Sequence, residues 1–370
     1  MTHERTGAES AAANRLQLGT FGTNLSPGIT FTTIPGALTT DWSRVVELAR
    51  RAEAMGFEAI VPISRWKGYG GEHNPHSDAF DTLTWAAAVG AVTSSARIFA
   101  TVSMPVVHPV MAAKQMATID RVTGGRAGIN VLAGWFRPEM EMFGAELLPH
   151  DRRYDMADEW IEIVTRLWSA RDEFDYAGDF FQLRGAYSRP QPGANRPAIM
   201  NAAMSGRGLE FALQNADQIY VKLSDDRAAA TAHVREIKRR AREEYDRDIE
   251  VWTFGYVVDA PTEEAAREFL RFYAEEHGMH DAAVNALTIM GVEAEVAGDN
   301  STAARRFSWV AGDGGVPLIG TPEQVADGLE WLADVGVDGC LLGWPLWEEG
   351  MARFASDILP LLTERGLRAG

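Results

Sequence analysis

Residues 97–133 read RIFATVSMPVVHPVMAAKQMATIDRVTGGRAGINVLA, and they contain one full repeat of the pattern on which the fold depends. Two apolar runs, Arg97–Ser103 and Ala127–Ala133, flank a longer segment with helical periodicity. Apolar runs that lack a polar alternation are typical of parallel strands buried on both faces of a sheet. This stretch therefore predicts a strand, a helix and a second strand parallel to the first.

The same alternation continues along the chain. Eight apolar runs alternate with helical segments, and this pattern predicts an α/β fold, a closed (β/α)8 TIM barrel with insertions. The alternative, an open doubly wound sheet, normally begins with a G-x-G-x-x-G fingerprint, whereas the first run here gives only GTFGTN. The predicted strands are Leu16–Gly22, Ala59–Ile63, Arg97–Ser103, Ala127–Ala133, Ala198–Ala202, Gln218–Leu223, Glu250–Val258 and Gly339–Gly343.

Two insertions interrupt the alternation inside a single predicted domain of residues 15–370. At about 172–197, aromatic residues alternate around Ala177-Gly178 and predict a β-hairpin, followed by a Pro-rich turn. At about 278–320 lies a longer insertion, of the kind that builds lids or oligomer contacts at the active face of a barrel. Residues 1–14 are polar and Ala-rich without the apolar core of a secretory signal, so we expect a disordered tail.

Composition and charge exclude several classes of function. The chain carries 35 basic and 52 acidic residues, a net charge of −17, which disfavours nucleic acid and anionic membrane surfaces as partners. No apolar run approaches the roughly 18 residues of a transmembrane helix. The single cysteine, Cys340, excludes an internal disulfide and a multi-cysteine zinc site, and its apolar neighbours indicate a buried, inert thiol. We expect a cytoplasmic protein that acts on a small molecule.

Reactive groups of such a barrel belong at the C-terminal ends of the strands and in the loops that follow. Arg65 and Trp66 follow the second predicted strand, and Trp135 follows the fourth. Two indole rings and a guanidinium group suit a flat aromatic ligand, although exposed tryptophans at the rim are the alternative interpretation. His73 and His76 form a loop pair without an acidic or cysteine partner at motif distance, and we predict no metal site.

A second candidate is the loop NAAMSGRG, which holds Ser205 and Arg207 at the start of a helix. Backbone N–H groups at a helix N-terminus attract anions, and Arg207 together with Arg153 adds positive charge, so a phosphate-bearing ligand suits this loop. An ordinary serine N-cap explains the same residues equally well.

Residues Ala112–Tyr154 (AAKQMATIDRVTGGRAGINVLAGWFRPEMEMFG…HDRRY) closely resemble the bacterial-luciferase-like, flavin-dependent monooxygenases. The closing segment GTPEQVADGLEWLADVGVDGCLLGWP, the RWKGYGG loop and the NAAMSG loop resemble the same family. Within it, the chain looks most similar to the pyrimidine-ring-opening monooxygenase branch. The resemblance implies a (β/α)8 barrel that uses reduced FMN supplied by a separate NAD(P)H:flavin reductase.

Carried over position by position, the resemblance implies a set of site residues. Thr101 and Asn130 match the threonine and asparagine that engage oxygen beside the flavin N5 edge in the pyrimidine branch. Trp135 and His108 are weaker candidates for the substrate pocket; Trp66 and His108 depart from that branch's pattern and are expected to reshape the pocket. The implied FMN contacts are Arg65, Trp66, Asn130, Glu139, Arg153, Tyr154 and Ser205.

The function implied is a two-component monooxygenase that uses reduced FMN and O2, with a flavin peroxide formed at N5, to oxygenate or cleave a small heterocyclic, amide or organosulfur substrate. Two alternatives are a deazaflavin-dependent hydride-transfer oxidoreductase of the same barrel superfamily and a non-catalytic flavin-binding barrel. Family members are commonly dimers or tetramers, so the resemblance also implies a homodimer or homotetramer.

Overall fold

Eight parallel strands close into a barrel in the computed structural model, which describes residues 14–202, 206–224, 226–291 and 300–369. The strands of the described chain are β1 (Gln17–Phe21), β2 (Ala59–Val61), β3 (Arg97–Ser103), β4 (Ala127–Leu132), β5 (Phe174–Ala177), β6 (Gln182–Ala186), β7 (Ala198–Ala202), β8 (Gln218–Tyr220), β9 (Glu250–Asp259), β10 (Val316–Gly320) and β11 (Gly339–Gly343). Around the barrel the order is β1, β2, β3, β4, β7, β8, β9 and β11, and β11 pairs with β1. The predicted (β/α)8 barrel is confirmed.

Helices cover the outside of the barrel. In α1, Asp41 caps the first turn by accepting hydrogen bonds from the N–H groups of Ser43 and Arg44, and an apolar stripe faces the sheet. The helices are α1 (Trp42–Ala54), α2 (Thr82–Val92), α3 (Pro109–Thr123), α4 (Arg137–Met142), α5 (His150–Ser169), α6 (Gly206–Asn215), α7 (Arg227–Tyr245), α8 (Glu263–Arg271), α9 (His280–Ile289), α10 (Asn300–Gly312), α11 (Pro322–Asp334), α12 (Trp347–Arg353) and α13 (Leu359–Glu364), with π-helical turns at Phe272–Glu276 and Phe354–Ile358. None of the described helices has the length and apolar character needed to cross a membrane.

The hairpin predicted in the first insertion is present. β5 and β6 pair antiparallel, and the Gly178 N–H donates to the Phe181 carbonyl across the turn. The carboxylate of Glu159 on α5 accepts hydrogen bonds from the turn N–H groups of Asp179, Phe180 and Phe181. The hairpin is therefore fastened to the barrel's outer layer.

β10 was not predicted as a strand, because its region was assigned to the second insertion. It pairs in parallel with residues 255–259 of β9, beyond the point at which β8 pairs with β9. Pro317 lacks an N–H and is typical of edge strands, so the sequence there indicates a turn as readily as a strand. The rest of this insertion contains α9 and α10; residues 292–299 lie outside the described part of the chain, as does the predicted tail up to residue 13.

Two glycines let bulky side chains fill the barrel. A Cβ atom on Gly128 would lie 2.5 Å from the Phe99 ring, and one on Gly339 would lie 2.4 Å from the Trp252 ring. Phe99 and Gly128 are partners in the β3–β4 register. Because side chains alternate across a strand, Thr101 and Asn130, two residues further on, face the interior at the C-terminal end of the barrel.

Candidate active site

Thr101 and Asn130 lie side by side on neighbouring strands. They are register partners in the β3–β4 pair, and the Asn130 amide nitrogen donates to the Thr101 hydroxyl at 3.3 Å. The Thr101 hydroxyl in turn donates to the Pro62 carbonyl after β2. The hydroxyl proton is thus already used, and the Asn130 amide keeps one N–H and a buried carbonyl oxygen that has no hydrogen-bond partner among the described residues.

Arg65 is enclosed by aromatic rings. Its guanidinium carbon lies 4.8 Å from the ring centre of Tyr69, 4.9 Å from that of Trp135 and 5.0 Å from that of Phe136. It also donates to the Tyr69 hydroxyl and, at 3.1 Å, to the Ser64 carbonyl. Stacking of this kind holds an arginine side chain in one orientation. The sequence predicted Arg65 and Trp135 as site residues but not the contact between them.

Glu139 joins the loops after β2 and β4. One carboxylate oxygen accepts hydrogen bonds from the backbone N–H of Trp66 at 2.7 Å and of Lys67 at 3.4 Å. Burial raises the pKa of Glu139, and the nearby positive charge of Arg65 opposes that rise. Trp66 itself is 44% exposed and packs edge-on against Phe143 at 5.1 Å. Of the two predicted tryptophans, only Trp135 contributes to the ring cluster around Arg65.

Arg153 and Tyr154 lie in the first turns of α5, beside the start of α6. Arg153 donates to the Gly134 carbonyl after β4, and its Nε is buried without a partner in the described part of the chain. The Tyr154 ring approaches Gly208 so closely that a Cβ there would lie 2.6 Å from its hydroxyl oxygen. Ser205, predicted to bind the phosphate, lies outside the described residues.

Arg207 does not add a free positive charge to this side of the site. Its guanidinium group pairs with Asp158, and its Nε lies 3.8 Å from Asp155. Both carboxylates belong to α5, so the contact fastens α6 to α5. Arg207 therefore contributes less positive charge to a phosphate site than expected, and Arg153 is the better candidate for the phosphate contact.

His108 and His76 have local roles in the fold. His108 is exposed, caps α3 by accepting a hydrogen bond from the Val110 N–H at 3.3 Å, and lies edge-on to Phe181 of the hairpin. His76 is buried, and its Nε2 lies 2.7 Å from the Gly28 carbonyl oxygen. Burial lowers the pKa of His76 to about 3. Within the described ranges, no cluster of three or more histidine, cysteine or acidic residues could hold a metal ion.

Two cavities open at this end of the barrel. A gap of about 10 Å³ lies between Arg65, Trp135 and Glu139 and the ends of β3 and β4. Ligand pockets usually measure several hundred Å³, so a ligand that enters this gap must displace side chains. The other cavity, about 390 Å³, is bordered by Tyr220, Lys222 and Phe254 and by residues 314–317.

Sequence reasoning missed Asp313, which lies beside these residues. Its Oδ1 is buried without a hydrogen-bond partner in the described chain, and its backbone is left-handed, with φ at 54°. Burial raises the pKa of Asp313 to about 7, against the lowering effect of Arg65 and Lys222. The sequence there reads AGDGGVP, whose glycines are typical of a turn and do not mark a site residue.

Comparison with known proteins places this barrel in a family. Residues 20–339 match the luciferase-like monooxygenases. The chain belongs to this family, which confirms the resemblance read from residues 112–154. An FMNH2-dependent dimethylsulfone monooxygenase of Pseudomonas fluorescens is 32% identical over 89% of this chain and 89% of its own length. A pyrimidine monooxygenase, RutA of Acinetobacter baylyi, is 29% identical over 86% of this chain and 87% of its own length.

Solved structures agree on the fold. A riboflavin lyase, RcaE, crystallised with modified FMN and riboflavin, superposes with a TM-score of 0.83 at 22% identity, over 96% of this chain and 92% of its own. DmoA from Hyphomicrobium sulfonivorans superposes with a TM-score of 0.81 at 22% identity, over 95% of this chain and 89% of its own. At these identities the likeness supports the architecture alone.

Proposed function

We propose that this chain is an FMNH2-dependent monooxygenase that uses O2 to oxygenate or cleave a small heterocyclic, amide or organosulfur substrate, with reduced flavin supplied by a separate NAD(P)H:flavin reductase. The observation that carries the proposal is the Thr101–Asn130 pair at the C-terminal end of the barrel. Relatives named for a sulfone and for pyrimidines support the range of substrates.

The residues present fit a flavin mononucleotide chemically. Arg153 has a buried Nε without a partner in the described chain and lies beside the start of α6, a combination suited to a phosphate. Asn130 offers both a free amide N–H and a buried carbonyl oxygen to a polar ring edge. When bound, reduced FMN supplies the electrons that activate O2.

Asn130 and Thr101 have different roles in this proposal. The Asn130 amide donates its remaining N–H toward the reacting oxygen, where negative charge develops. Thr101 holds that amide in position, since its hydroxyl accepts from Asn130 and donates to Pro62. The expectation that both side chains engage oxygen is thereby narrowed to Asn130, with Thr101 as a positioning residue.

The remaining side chains bind and exclude water. Arg153 and Tyr154 hold the phosphate end of the cofactor, and Arg65, Trp135 and Glu139 close the other side of the site. A site without bulk water protects an activated oxygen species from unproductive decay. Two points stay predictions from the family resemblance: activation of oxygen at the flavin N5 atom, and assembly of the protein into a homodimer or homotetramer.

An aerobic assay with labelled O2 and reduced FMN tests the proposal. Purified protein is supplied with a panel of heterocycles, amides and sulfones, and incorporation of label into a product is measured. We expect labelled product from at least one class. Hydride transfer to a deazaflavin without oxygen uptake, or flavin binding without oxygenation of any member of the panel, would contradict the function.

Two substitutions test the roles of the pair. Asn130→Asp keeps the shape of the side chain and removes the amide N–H groups, so product formation should fall by about two orders of magnitude while binding of reduced FMN falls much less. Thr101→Val, which removes the hydroxyl without changing the volume much, should lower the rate as well. Thr101→Ser is the matched control and should keep most activity. Full turnover in Asn130→Asp would exclude the assigned role.

A further inference from the structure

Three buried polar atoms at the mouth of the barrel have unused hydrogen-bonding capacity. Asp313 Oδ1, the Tyr220 hydroxyl and Trp309 Nε1 are buried and make no hydrogen bond with any residue in the described ranges. Buried polar groups in folded proteins are normally paired, because an unpaired group loses its hydrogen bonds to water without replacing them. Three such atoms in one region point to a polar ligand.

The three atoms come from two parts of the chain. Tyr220 ends β8, whereas Trp309 belongs to the last turn of α10 and Asp313 follows that helix. The Asp313 N–H donates to the Trp309 carbonyl at 2.8 Å, which fixes the two residues relative to each other. Trp309 packs edge-on to Tyr69, at 6.4 Å between ring centres, and so connects this group to the ring cluster around Arg65.

The surroundings favour a flat ligand. The rings of Tyr220 and Phe254 are stacked at 5.3 Å, and Phe21 adds a third ring at 5.3 Å from Phe254. The cavity of about 390 Å³ is bordered by Tyr220 and by Gly314, the neighbour of Asp313. Rings of this kind bind planar molecules by stacking, and the polar atoms at the edge determine which planar molecule is accepted.

We propose that Asp313 is the residue that determines substrate specificity, and that its carboxylate accepts a hydrogen bond from the N–H of a planar cyclic amide. The Tyr220 hydroxyl and the Trp309 indole N–H then donate to the carbonyl oxygen of the same amide. One acceptor beside two donors complements an amide edge, which offers one N–H and one C=O. This assignment rests on the function proposed above and narrows its substrate to lactams and cyclic imides.

The same chemistry disfavours organosulfur substrates. An ionised carboxylate can only accept hydrogen bonds, and a sulfone offers only acceptor oxygens. A sulfone would satisfy Tyr220 and Trp309 but would place an oxygen atom against the carboxylate. The sulfone oxygen and the carboxylate both carry negative charge and cannot form a hydrogen bond with each other. Binding sites commonly reject the wrong ligand through a repulsive contact of this kind.

Other ionisable groups around Asp313 set the pH range in which it discriminates. The positive charges of Arg65 and Lys222 favour its ionised form, and burial opposes it; the Tyr69 and Tyr220 hydroxyls lie within range of its charge. The positive charge of Arg65 also acts on Glu139. Above a pKa of about 7 the carboxylate is ionised, so preference for an N–H ligand should increase from about pH 6 to about pH 8.

Matched ligand pairs test the assignment. Binding of uracil is compared with that of dimethyluracil, and binding of δ-valerolactam with that of its N-methyl derivative, by calorimetry on the FMN-loaded protein at about pH 8, above the pKa of Asp313 near 7. Dimethyl sulfone completes the panel. We expect an N–H ligand to bind at least about tenfold more tightly than its N-methyl partner, as one hydrogen bond to a charged group allows.

Substitutions of Asp313 test whether the preference for N–H ligands comes from this carboxylate and not from the protein's negative charge in general. In Asp313→Asn the preference for N–H ligands should fall below about threefold, as expected when a charged acceptor becomes neutral. Asp313→Glu should restore part of it. Asp248→Asn, at an exposed carboxylate before the first residue of β9 and hence at the opposite end of the barrel, should leave it unchanged.

Three results would overturn the assignment: equal binding of N–H and N-methyl ligands, a preference that survives in Asp313→Asn, or binding of dimethyl sulfone but of no cyclic amide. Binding of no panel member also counts against it.

Reduced-FMN binding and oxygen uptake are measured on the same preparations. If the wild-type protein lacks both, the proposed monooxygenase function fails; if both are present without an N–H preference, only the role of Asp313 fails.

Discussion

The carboxylate of Glu139 accepts a hydrogen bond from the backbone N–H of Trp66 at 2.7 Å, and this contact ties the loop after β4 to the loop after β2. A second bond, from Lys67 at 3.4 Å, uses the same oxygen, Oε1. The flavin contact predicted for Glu139 is therefore left to Oε2. Glu139 both shapes the site and is a candidate ligand contact, and the two roles can be separated by substitution.

Glu139→Gln and Glu139→Ala should differ. Glutamine keeps an oxygen that accepts from Trp66 and Lys67, so the loops stay joined, whereas alanine leaves those N–H groups without an acceptor. We expect Glu139→Ala to lower the free energy of unfolding by about 1–3 kcal/mol and to weaken binding of reduced FMN. Urea unfolding and anaerobic titration measure the two effects. Wild-type stability in Glu139→Ala would show that the loop contact is unimportant.

The barrel could be predicted from the sequence because its signal is local. Each apolar run, such as Arg97–Ser103, becomes a strand because both faces are covered, by helices outside and by rings such as Phe99 inside. β10 could not be predicted, because Pro317 and the surrounding glycines resemble a turn until β9 offers a free edge. The local pattern carries no information about such an edge.

The site was only partly predictable, for a related reason. The family resemblance implied Thr101 and Asn130 as a pair, and the structure makes them register partners on β3 and β4. The second insertion brings Asp313 near Arg65, whereas Tyr220 ends β8, and neither residue belongs to a motif. Their significance lies in unpaired buried atoms, which exist only in the folded chain.

Arg153→Ala should weaken binding of reduced FMN while leaving the rate at saturating flavin nearly unchanged, because the guanidinium group is proposed to contact the phosphate and not the reacting atoms. Arg153→Lys, which keeps the charge, should retain part of the affinity. Arg207→Ala is the control: its guanidinium group is already engaged by Asp158 and Asp155, so its loss should change flavin affinity little. Titration by fluorescence quenching measures all three. Equal losses in Arg153→Ala and Arg207→Ala would place the phosphate elsewhere.

His76 should make the protein sensitive to mild acid. Burial, aided by the charge of Arg65, lowers the pKa of His76 from 6.5 to about 3, so the folded state keeps the ring neutral where the unfolded state is protonated. The unfolded chain then binds more protons between these values, and stability falls as the pH is lowered from about 6.5 toward 3. His76→Asn removes the group that titrates. Asparagine also tolerates the left-handed backbone at this position, where φ is 67°.

The test compares the two proteins across that range. The free energy of unfolding of the wild type should decline relative to that of His76→Asn between about pH 7 and about pH 5, and the two curves should run parallel above about pH 7.5. Carboxylates that titrate in the same range are common to both proteins and cancel in the difference. Parallel curves at every pH would mean that folding does not lower the pKa of the His76 ring.

Asp313 should reduce stability at neutral and alkaline pH. Burial raises the pKa of Asp313 from 3.8 to about 7, so between these values the unfolded chain is ionised while the folded chain holds a proton. The folded state binds more protons, and stability falls as the pH rises from about 4 to about 7 and then stays level. Asp313→Asn removes this dependence, so its melting temperature should exceed that of the wild type by more at about pH 8 than at about pH 5. Asp248→Asn, at an exposed carboxylate, should show no such divergence.

A constant difference at every pH would mean that Asp313 is ionised throughout and not destabilised by burial. If Asp313→Asn is instead both more stable at alkaline pH and less selective for N–H ligands, the carboxylate serves recognition at the expense of folding, since buried charge that stability alone does not favour persists where function requires it.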